Sequence, residues 1–187
     1  MSGGKGAVRP RSGQRNSFAF RLADWLTAAV ICVLAAALLL FVIYTPVSIT
    51  SSGVSDFYPG DIVFASRLGK HLWGFARGDD AVVRSEEGTR TVRHVRRVIA
   101  LSGEKVTVSG GSVYIGNSLL DESAYADSFD PALSMSFTVP EGSMLLLPDQ
   151  RAGMTERDVT SCISPLSDIV GEVRFTAFPP SRLRFYS

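Results

Sequence analysis

The sequence predicts a mostly β protein, in which one N-terminal transmembrane helix is followed by a domain of antiparallel sheets. Near the N-terminus, a run of about 20 residues contains no charge and no proline, as a membrane span requires. The rest of the chain consists of short segments rich in Val, Ile, Thr and Phe, divided by turn residues. Helical periodicity is confined to the N-terminal run. These observations favour one antiparallel domain with coiled or curved sheets.

The first element is a basic tail, residues 1–21, which is predicted to be disordered. It is rich in Gly, Ser and Arg, and such a composition does not bury enough apolar surface to fold. The positive-inside rule places a tail of this kind in the cytoplasm.

The second element is a membrane anchor, predicted over residues 22–45. Trp25 and Tyr44 bracket its apolar run, as aromatic residues do at a membrane interface. A cleaved signal peptide is the alternative. The run is longer than an ordinary signal-peptide core, and "TPVSIT" after it is a weak cleavage site, so an uncleaved anchor is favoured. Residues 46–187 are then an extracytoplasmic β domain.

Candidate strands follow one another through this domain, and Ser109–Gly111 is predicted to form a hairpin turn between two of them. Residues 121–136 are polar, contain a proline and are predicted to form a surface loop. The candidate strands are "DIVFASRL", "AVVRS", "RTVRHVRRVIAL", "EKVTVSGGSVYIG", "SFTVP", "GSMLLLPD" and "IVGEVRFTAF".

Composition excludes several classes of function. The formal net charge of +1 gives no overall field that favours nucleic acid as a partner. No Cys/His cluster has metal-ligand spacing, and neither a metal nor another cofactor is expected. Cys32 lies in the apolar run and Cys162 far beyond it, so an internal disulfide is not expected, and each cysteine is interpreted as small apolar filler.

One segment of the exported domain suggests a second contact with membrane lipid. In "LGKHLWGFARG", Trp73 and Phe75 lie near Lys70 and Arg77, and aromatic residues beside cations suit a lipid interface. A loop at a strand edge, with Trp73 packed into the core, explains the same pattern equally well.

Six segments in a fixed order resemble the type I signal peptidases, the membrane-anchored serine peptidases that remove signal peptides. The resemblance covers roughly residues 25–186 and implies two coiled antiparallel sheets resting on the outer membrane face. It also implies a cleft for small side chains and exported precursor proteins as ligands. The six segments are "YPGDIVF", "RGDDAVV", "VRRVIALSGEKV", "GGSVYIGNSLLDE", "FTVPEGSMLLLPDQR" and "DIVGEVRFTAFPPSRLRFY".

The family's nucleophilic serine lies eight residues before the first Gly-Asp, which places it at Ser52. By the same resemblance, Thr50 supplies an oxyanion-hole hydroxyl. Two neighbours depart from the Ser-Gly-Ser-Met-x-Pro pattern, because Gly53 stands at the Met position and Ser55 at the Pro position. Both changes loosen the backbone. Ser51 and Ser55 remain alternative nucleophile positions.

The family's general base is the lysine of a Lys-Arg-Val-Ile run, and here that position holds Arg96. A lysine serves as a base after burial lowers its pKa, whereas a guanidinium is too basic to lose its proton in a protein. Arg97 matches the family's own arginine and is expected to be structural. The stretch therefore supports the family's fold and argues against its catalysis.

The family's acidic motif, Gly-Asp-Asn-Arg, is altered as well. Asp149 and Arg151 match it and are expected to support the site, while Pro148 replaces the glycine and Gln150 the asparagine. If the alignment with the family has no gap after this motif, Arg157 stands at the position of the serine that orients the family's lysine.

Other bases are conceivable for Ser52. His94 shares the strand face of Arg96, roughly 7 Å along the chain, and relatives of the endoplasmic-reticulum type use histidine at the Arg96 position. His71, Lys70 and Lys105 are weaker candidates, because each is expected in an exposed loop or turn.

Three functions therefore compete. The favoured one is a degenerate signal peptidase homologue that binds exported precursors or pilins without cutting them, since similar members without the dyad assist pilus assembly. The alternatives are an active serine endopeptidase with an unusual base, and a purely structural membrane-anchored module.

Overall fold

The structure is a computed structural model that describes residues 14–67 and 74–186, with backbone alone for residues 14–20 and Glu87. The segment proposed to contact lipid, including Lys70, His71 and Trp73, lies mostly outside the described residues. Of its members, Phe75 is buried and Arg77 is exposed. The chain divides into two units, residues 1–42 and 43–187.

The first unit contains a single long helix, α1 (Gln14–Ile43). Its stretch Arg21–Ile43 spans 23 residues and is apolar enough to cross a membrane, and the described side chains of residues 21–42 are all exposed. An apolar helix whose side chains are exposed is typical of a membrane anchor. Because α1 begins at Gln14, residues 14–21, which were expected in a disordered tail, are helical.

The second unit contains two mostly antiparallel sheets, which confirms the predicted fold class. Within the described residues, the larger sheet has nine strands: β1 (Tyr44–Ser48), β2 (Ser51–Ser52), β3 (Ile62–Ser66), β4 (Asp80–Glu87), β5 (Arg90–Ala100), β10 (Ser143–Leu147), β11 (Ile163–Pro165), β12 (Ile169–Phe178) and β13 (Arg184–Phe185). The order is β1-β3-β12-β4-β5-β10-β11, with β13 on β12 and β2 on β5. All pairs are antiparallel except β2 with β5.

The smaller sheet contains four strands, in the order β8-β7-β6-β9. They are β6 (Lys105–Ser109), β7 (Ser112–Ile115), β8 (Ser118–Leu119) and β9 (Met135–Thr138). The predicted turn is confirmed: Ser109 pairs with Ser112, and Gly110 and Gly111 adopt φ of 59° and 82°. Two successive positive φ values are those of a type I′ hairpin, which glycine adopts without steric cost.

Two expectations about local structure were wrong. A second helix, α2 (Glu156–Ser161), follows β10 and is fixed by a capping box between Thr155 and Asp158. Six residues are too few to show a helical period, so only the Thr-x-x-Asp spacing indicates this helix. The segment 121–136 is not wholly a surface loop, because Phe129 is 2% exposed and β9 begins at Met135.

Two apolar clusters hold the elements that carry the candidate site. One lies between the sheets and combines Ile99, Leu145 and Leu147 with residues of the smaller sheet, Phe129 and Val159. The other lies beneath the segment that follows β1 and includes Ile49, Val54, Phe57 and Val95. Burial of such side chains contributes about 1.5–3 kcal/mol each, so both sides of the Ser52 turn are anchored in the core.

Candidate active site

The strand that carries Ser52 lies directly beside the strand that carries Arg96. β2 pairs in parallel with β5, with Ser51 opposite His94 and Ser52 opposite Val95. On either side of this pair, the Thr50 N–H donates to the Arg93 carbonyl at 3.0 Å and the Gly53 N–H to the Val95 carbonyl at 3.1 Å. The fold therefore brings together the two segments that the resemblance identifies as nucleophile and base.

The Ser52 hydroxyl is engaged within its own turn. It donates to the Val54 carbonyl at 2.8 Å and accepts from the Val54 N–H at 3.1 Å. Since Val54 is 2% exposed and part of the core, this turn is firmly positioned. The acceptor of the hydroxyl proton is thus a carbonyl oxygen, which does not take up a proton at neutral pH.

The neighbouring hydroxyls also bind other groups. Thr50 Oγ1 accepts from the Arg93 N–H at 3.4 Å. Ser55 donates its N–H to Asp149 Oδ2 at 3.2 Å, and its hydroxyl lies 3.5 Å from the same oxygen. Among the three candidate nucleophiles, Ser55 is thus the one placed beside a carboxylate.

Gly53 and Pro148 are in direct contact. A Cβ atom added to Gly53 would lie 2.7 Å from Pro148 Cβ and 3.1 Å from Pro148 Cα, which is closer than non-bonded carbons approach. The Asp149 N–H donates to the Gly53 carbonyl at 2.6 Å. Both residues depart from the family pattern: Gly53 stands where the resemblance places Met, and Pro148 where it places Gly. The ring of Pro148 fills the space beside Gly53.

The Arg96 guanidinium is hydrogen-bonded to a buried cysteine. Its Nη1 donates to Cys162 Sγ at 3.0 Å, and Cys162 is 4% exposed within the core. Burial raises the pKa of the Cys162 thiol above its ordinary value, although Arg96 opposes this effect, so the thiol is neutral at neutral pH. Cys162 therefore packs as expected for apolar filler and, in addition, binds Arg96.

Arg97 forms a buried ionic cluster with two carboxylates. Its Nε lies 3.2 Å from Asp149 Oδ1, its Nη2 lies 3.4 Å from Asp80 Oδ1, and its guanidinium carbon lies 4.3 Å from the Tyr125 ring centroid. Desolvation, reinforced by Asp149, Asp56 and Asp79 and opposed by Arg97, raises the pKa of Asp80 to about 6. Asp80 lies in "RGDDAVV", one of the six segments that carry the resemblance, but the resemblance assigned it no role of its own.

Asp80→Asn is expected to raise the free energy of unfolding at pH 7 by about 1–3 kcal/mol. The folded state binds the Asp80 proton more tightly than the unfolded state, because burial raises the pKa of this carboxyl from its ordinary 3.8 to about 6. The contribution of Asp80 to the free energy of unfolding therefore falls as the pH rises from its ordinary pKa of 3.8 through about 6. Asparagine does not ionise, so the variant does not lose this stability at pH 7. Urea unfolding of the full chain in detergent at pH 4, 5.5 and 7 measures the effect. The exposed Asp130→Asn is the matched control, and a less stable Asp80→Asn at pH 7 would contradict the expectation.

Arg151 is buried and joins the segment 121–136 to the residues that follow β10. It is 1% exposed, donates to both Glu122 carboxylate oxygens at 2.5 and 2.7 Å and donates its Nε to the Pro148 carbonyl at 2.9 Å. It thereby ties the segment 121–136 to the end of β10. Arg157, at the position of the family's lysine-orienting serine, is exposed on α2.

The alternative bases are differently placed. His94 is half-buried on β5, opposite Ser51 and Val83, so its use by a neighbouring serine stays a prediction. Lys105 is exposed at the start of β6. Within residues 14–67 and 74–186, no group of three His, Cys, Asp or Glu side chains is arranged to hold a metal ion.

Comparisons with known proteins place the chain in a family. The family model described as signal peptidase, peptidase S26, matches residues 22–178. Signal peptidase I of Bacillus licheniformis is 23% identical over 174 residues, which cover 87% of this chain and 92% of that protein. Signal peptidase I S of Bacillus subtilis (strain 168) is 25% identical over 173 residues, covering 86% and 91%.

Among solved structures, a signal peptidase I from Enterococcus faecalis V583 is similar at 21% identity and a TM-score of 0.41. The match covers 53% of this chain and 96% of that one. The family match extends from the apolar helix α1 to the end of β12 and includes both Ser52 and Arg96. This chain belongs to the signal peptidase family, peptidase S26.

Proposed function

We propose that this chain is a membrane-anchored signal peptidase homologue that binds precursor proteins carrying signal peptides but does not cut them. The observation that carries the proposal is the arginine at the general-base position, with Arg96 Nη1 directed to Cys162 Sγ at 3.0 Å. The N-terminal tail is cytoplasmic in this proposal, and residues 46–187 form the extracytoplasmic domain.

The chemistry of peptide-bond cleavage requires a group that takes the proton from the serine hydroxyl. A positioned base contributes typically about 10²–10⁴-fold to the rate, and the Arg96 guanidinium keeps its own proton at any physiological pH. The Ser52 hydroxyl donates to the Val54 carbonyl, which is no substitute for a base. Ser52 is therefore not activated as a nucleophile in this arrangement.

Peptide binding needs less of the site than cleavage does. β1, which leads into the Ser52 segment, lies at one edge of the larger sheet and pairs with β3 on one side. An extended precursor segment adds to such an edge through main-chain hydrogen bonds, with small side chains accepted beside it. Loss of the base leaves this capacity intact. Pilins are one class of exported precursor that suits the proposal, with the chain then acting as a helper in pilus assembly.

The decisive experiment is cleavage of a synthetic peptide that spans a signal-peptide cleavage region, by the full chain in detergent micelles. We expect binding without turnover, and equal binding by the Ser52→Ala variant. Turnover that disappears in Ser52→Ala would overturn the proposal in favour of an active serine endopeptidase. Turnover lost instead in Ser51→Ala or Ser55→Ala would also overturn it and would relocate the nucleophile. In either case His94→Ala then tests the remaining candidate base.

Arg96→Lys is the companion variant. We expect no measurable turnover from it, because Gly53 and Pro148 also depart from the family pattern and leave the Ser52 turn in its present conformation. Clear turnover by Arg96→Lys would show that Arg96 alone prevents catalysis.

A further inference from the structure

Arg96 is a half-buried arginine whose positive charge has no carboxylate partner among the described residues. Its hydrogen-bond partner is the Cys162 thiol at 3.0 Å, which is neutral because burial raises the pKa of this thiol. The other buried or half-buried arginines that the structure describes, Arg97, Arg151 and Arg174, each pair with a carboxylate. Arg96 therefore differs from them in having a charge that the domain itself leaves without an ion pair.

The free part of the Arg96 guanidinium is the edge formed by Nε and Nη2. Cys162 accepts from Nη1, and no group in the described part of the chain is hydrogen-bonded to Nε or Nη2. Within residues 14–67 and 74–186, Asp80 Oδ1 is the one buried side-chain oxygen or nitrogen that lacks a hydrogen-bond partner. Neither free nitrogen of Arg96 is therefore closed off from solvent, and a ligand can reach this edge.

The neighbouring Arg97 shows what such an edge binds. Its Nε donates to Asp149 Oδ1 at 3.2 Å and its Nη2 to Asp149 Oδ2 at 3.4 Å, so one planar edge holds both oxygens of one carboxylate. Bidentate pairing of this kind is how a guanidinium matches the shape of a carboxylate. Arg96 presents the same two donors without an acceptor, and its charge favours an anionic acceptor over a neutral one.

Carboxylates on the adjacent elements are already engaged. Asp149 is held by Arg97. Asp158, on the helix that precedes Cys162, accepts from the Thr155 N–H at 2.8 Å and from the Thr155 hydroxyl at 2.7 Å, which fixes it in the capping box of α2. The matching anion for Arg96 is therefore expected on a ligand.

Arg96 also lies next to the turn where a bound polypeptide is expected. β2 pairs with β5 at Ser52 and Val95, and the Gly53 N–H donates to the Val95 carbonyl at 3.1 Å, so the residue before Arg96 contacts the Ser52 turn. A lysine that serves as a base is neutral, whereas Arg96 places a permanent positive charge at that position. A bound segment that carries a carboxylate therefore gains an ion pair that a neutral segment lacks.

We propose that the free edge of Arg96 binds a carboxylate of the precursor polypeptide, so that the base position of the family serves as a carboxylate site in this chain. The carboxylate belongs to an aspartate or glutamate side chain or to the C-terminus of a peptide that has already been cleaved, since both present the same two oxygens. The polypeptide as ligand rests on the proposed function, whereas the preference for a carboxylate rests on the contacts of Arg96.

The test uses two pairs of fluorescently labelled synthetic peptides that span a signal-peptide cleavage region. In the first pair, both peptides end in an amide and one asparagine, scanned along the segment, is exchanged for aspartate. In the second pair, both end at the cleavage position, one as a free carboxylate and one as an amide. Binding to the full chain in detergent micelles is measured by fluorescence anisotropy.

We expect the carboxylate peptide of one pair to bind about tenfold more tightly than its neutral partner. Arg96→Gln should abolish the difference, while Arg90→Gln, at an exposed arginine of the same strand, should preserve it. A preference in the first pair assigns the carboxylate to a side chain, and a preference in the second assigns it to the C-terminus. Circular dichroism and the unfolding midpoint verify that each variant is folded.

The outcomes separate this inference from the proposed function. Equal binding within both pairs by the unsubstituted chain, or a preference that survives Arg96→Gln, overturns the carboxylate site while precursor binding stands. If no peptide binds, the polypeptide ligand is overturned. The full chain is then titrated with acetate, against acetamide, and the NMR signal of the Arg96 Nε–H is followed, identified by its loss in Arg96→Gln. A shift with acetate alone supports the carboxylate site, and equal shifts or none overturn it.

Discussion

Arg151→Ala is expected to lower the free energy of unfolding of the β domain by about 3–5 kcal/mol, as is typical when one partner of a buried ion pair is removed. Arg151 is 1% exposed, and its guanidinium holds both oxygens of Glu122. Without it, the Glu122 carboxylate, whose side chain is 11% exposed, loses its counter-charge in a site largely closed to water. Alanine also leaves a cavity beneath the Phe129 ring, which lies 5.3 Å from the guanidinium carbon.

Urea unfolding of the full chain in detergent, followed by tryptophan fluorescence and circular dichroism, measures this effect. Arg184→Ala is the matched control, because Arg184 and Asp56 form an ion pair with side chains 61% and 43% exposed. Exposed pairs contribute about 0–1 kcal/mol. If Arg151→Ala proved no more destabilising than Arg184→Ala, the assignment of Arg151 as the anchor of segment 121–136 would be wrong.

Gly53→Met is expected to destabilise the chain by about 1–3 kcal/mol, the usual effect of overpacking. The added side chain meets Pro148, since even a Cβ atom at Gly53 would lie 2.7 Å from Pro148 Cβ. Pro148→Gly removes that obstacle. In the double variant, the methionine should therefore be tolerated much better than in the single one.

A double-mutant cycle measures this coupling directly. We expect the two substitutions to be non-additive by about 1–3 kcal/mol, which is within the range for residues in contact. Glu141→Gln, a substitution at an exposed residue, replaces Pro148→Gly in the control cycle, where the effects should add. Additive effects of Gly53→Met and Pro148→Gly would show that the backbone relaxes around a larger residue, and that these two departures from the family pattern arose independently.

Coupling between Gly53 and Pro148 bears on any attempt to restore peptidase activity. If Gly53→Met is tolerated only together with Pro148→Gly, then Arg96→Lys alone supplies a lysine but leaves the Ser52 turn packed against Pro148. A test of regained turnover then requires Arg96→Lys in the Gly53→Met/Pro148→Gly background. Turnover in this triple variant, with none in Arg96→Lys, would identify the packing of the turn as a second barrier to catalysis.

Several features followed directly from local sequence. The long apolar helix was predictable because its charge-free run of about 20 residues has the length and composition of a membrane span, although its start at Gln14 was not. The longer strands of the two sheets were predictable from their β-branched residues, and the Gly110–Gly111 turn from the positive φ that glycine adopts. The shorter strands β1, β2, β8, β11 and β13 were not among the candidate segments. The two positions that the family pattern identifies, Ser52 and Arg96, lie on adjacent strands.

Tertiary structure decided what those residues contact. The Arg96–Cys162 hydrogen bond joins residues 66 positions apart, and the Ser55–Asp149 bond joins residues 94 apart. No local sequence pattern predicts such a contact, because it depends on how β2, β5 and β10 are positioned relative to one another in the folded sheet. The sequence by itself predicted the apolar helix, the longer strands and an arginine where the resemblance places a lysine. Packing between distant elements decided that Ser52 faces its own turn, that Pro148 fills the space at Gly53, and that one Asp80 oxygen is buried without a hydrogen-bond partner among the described residues.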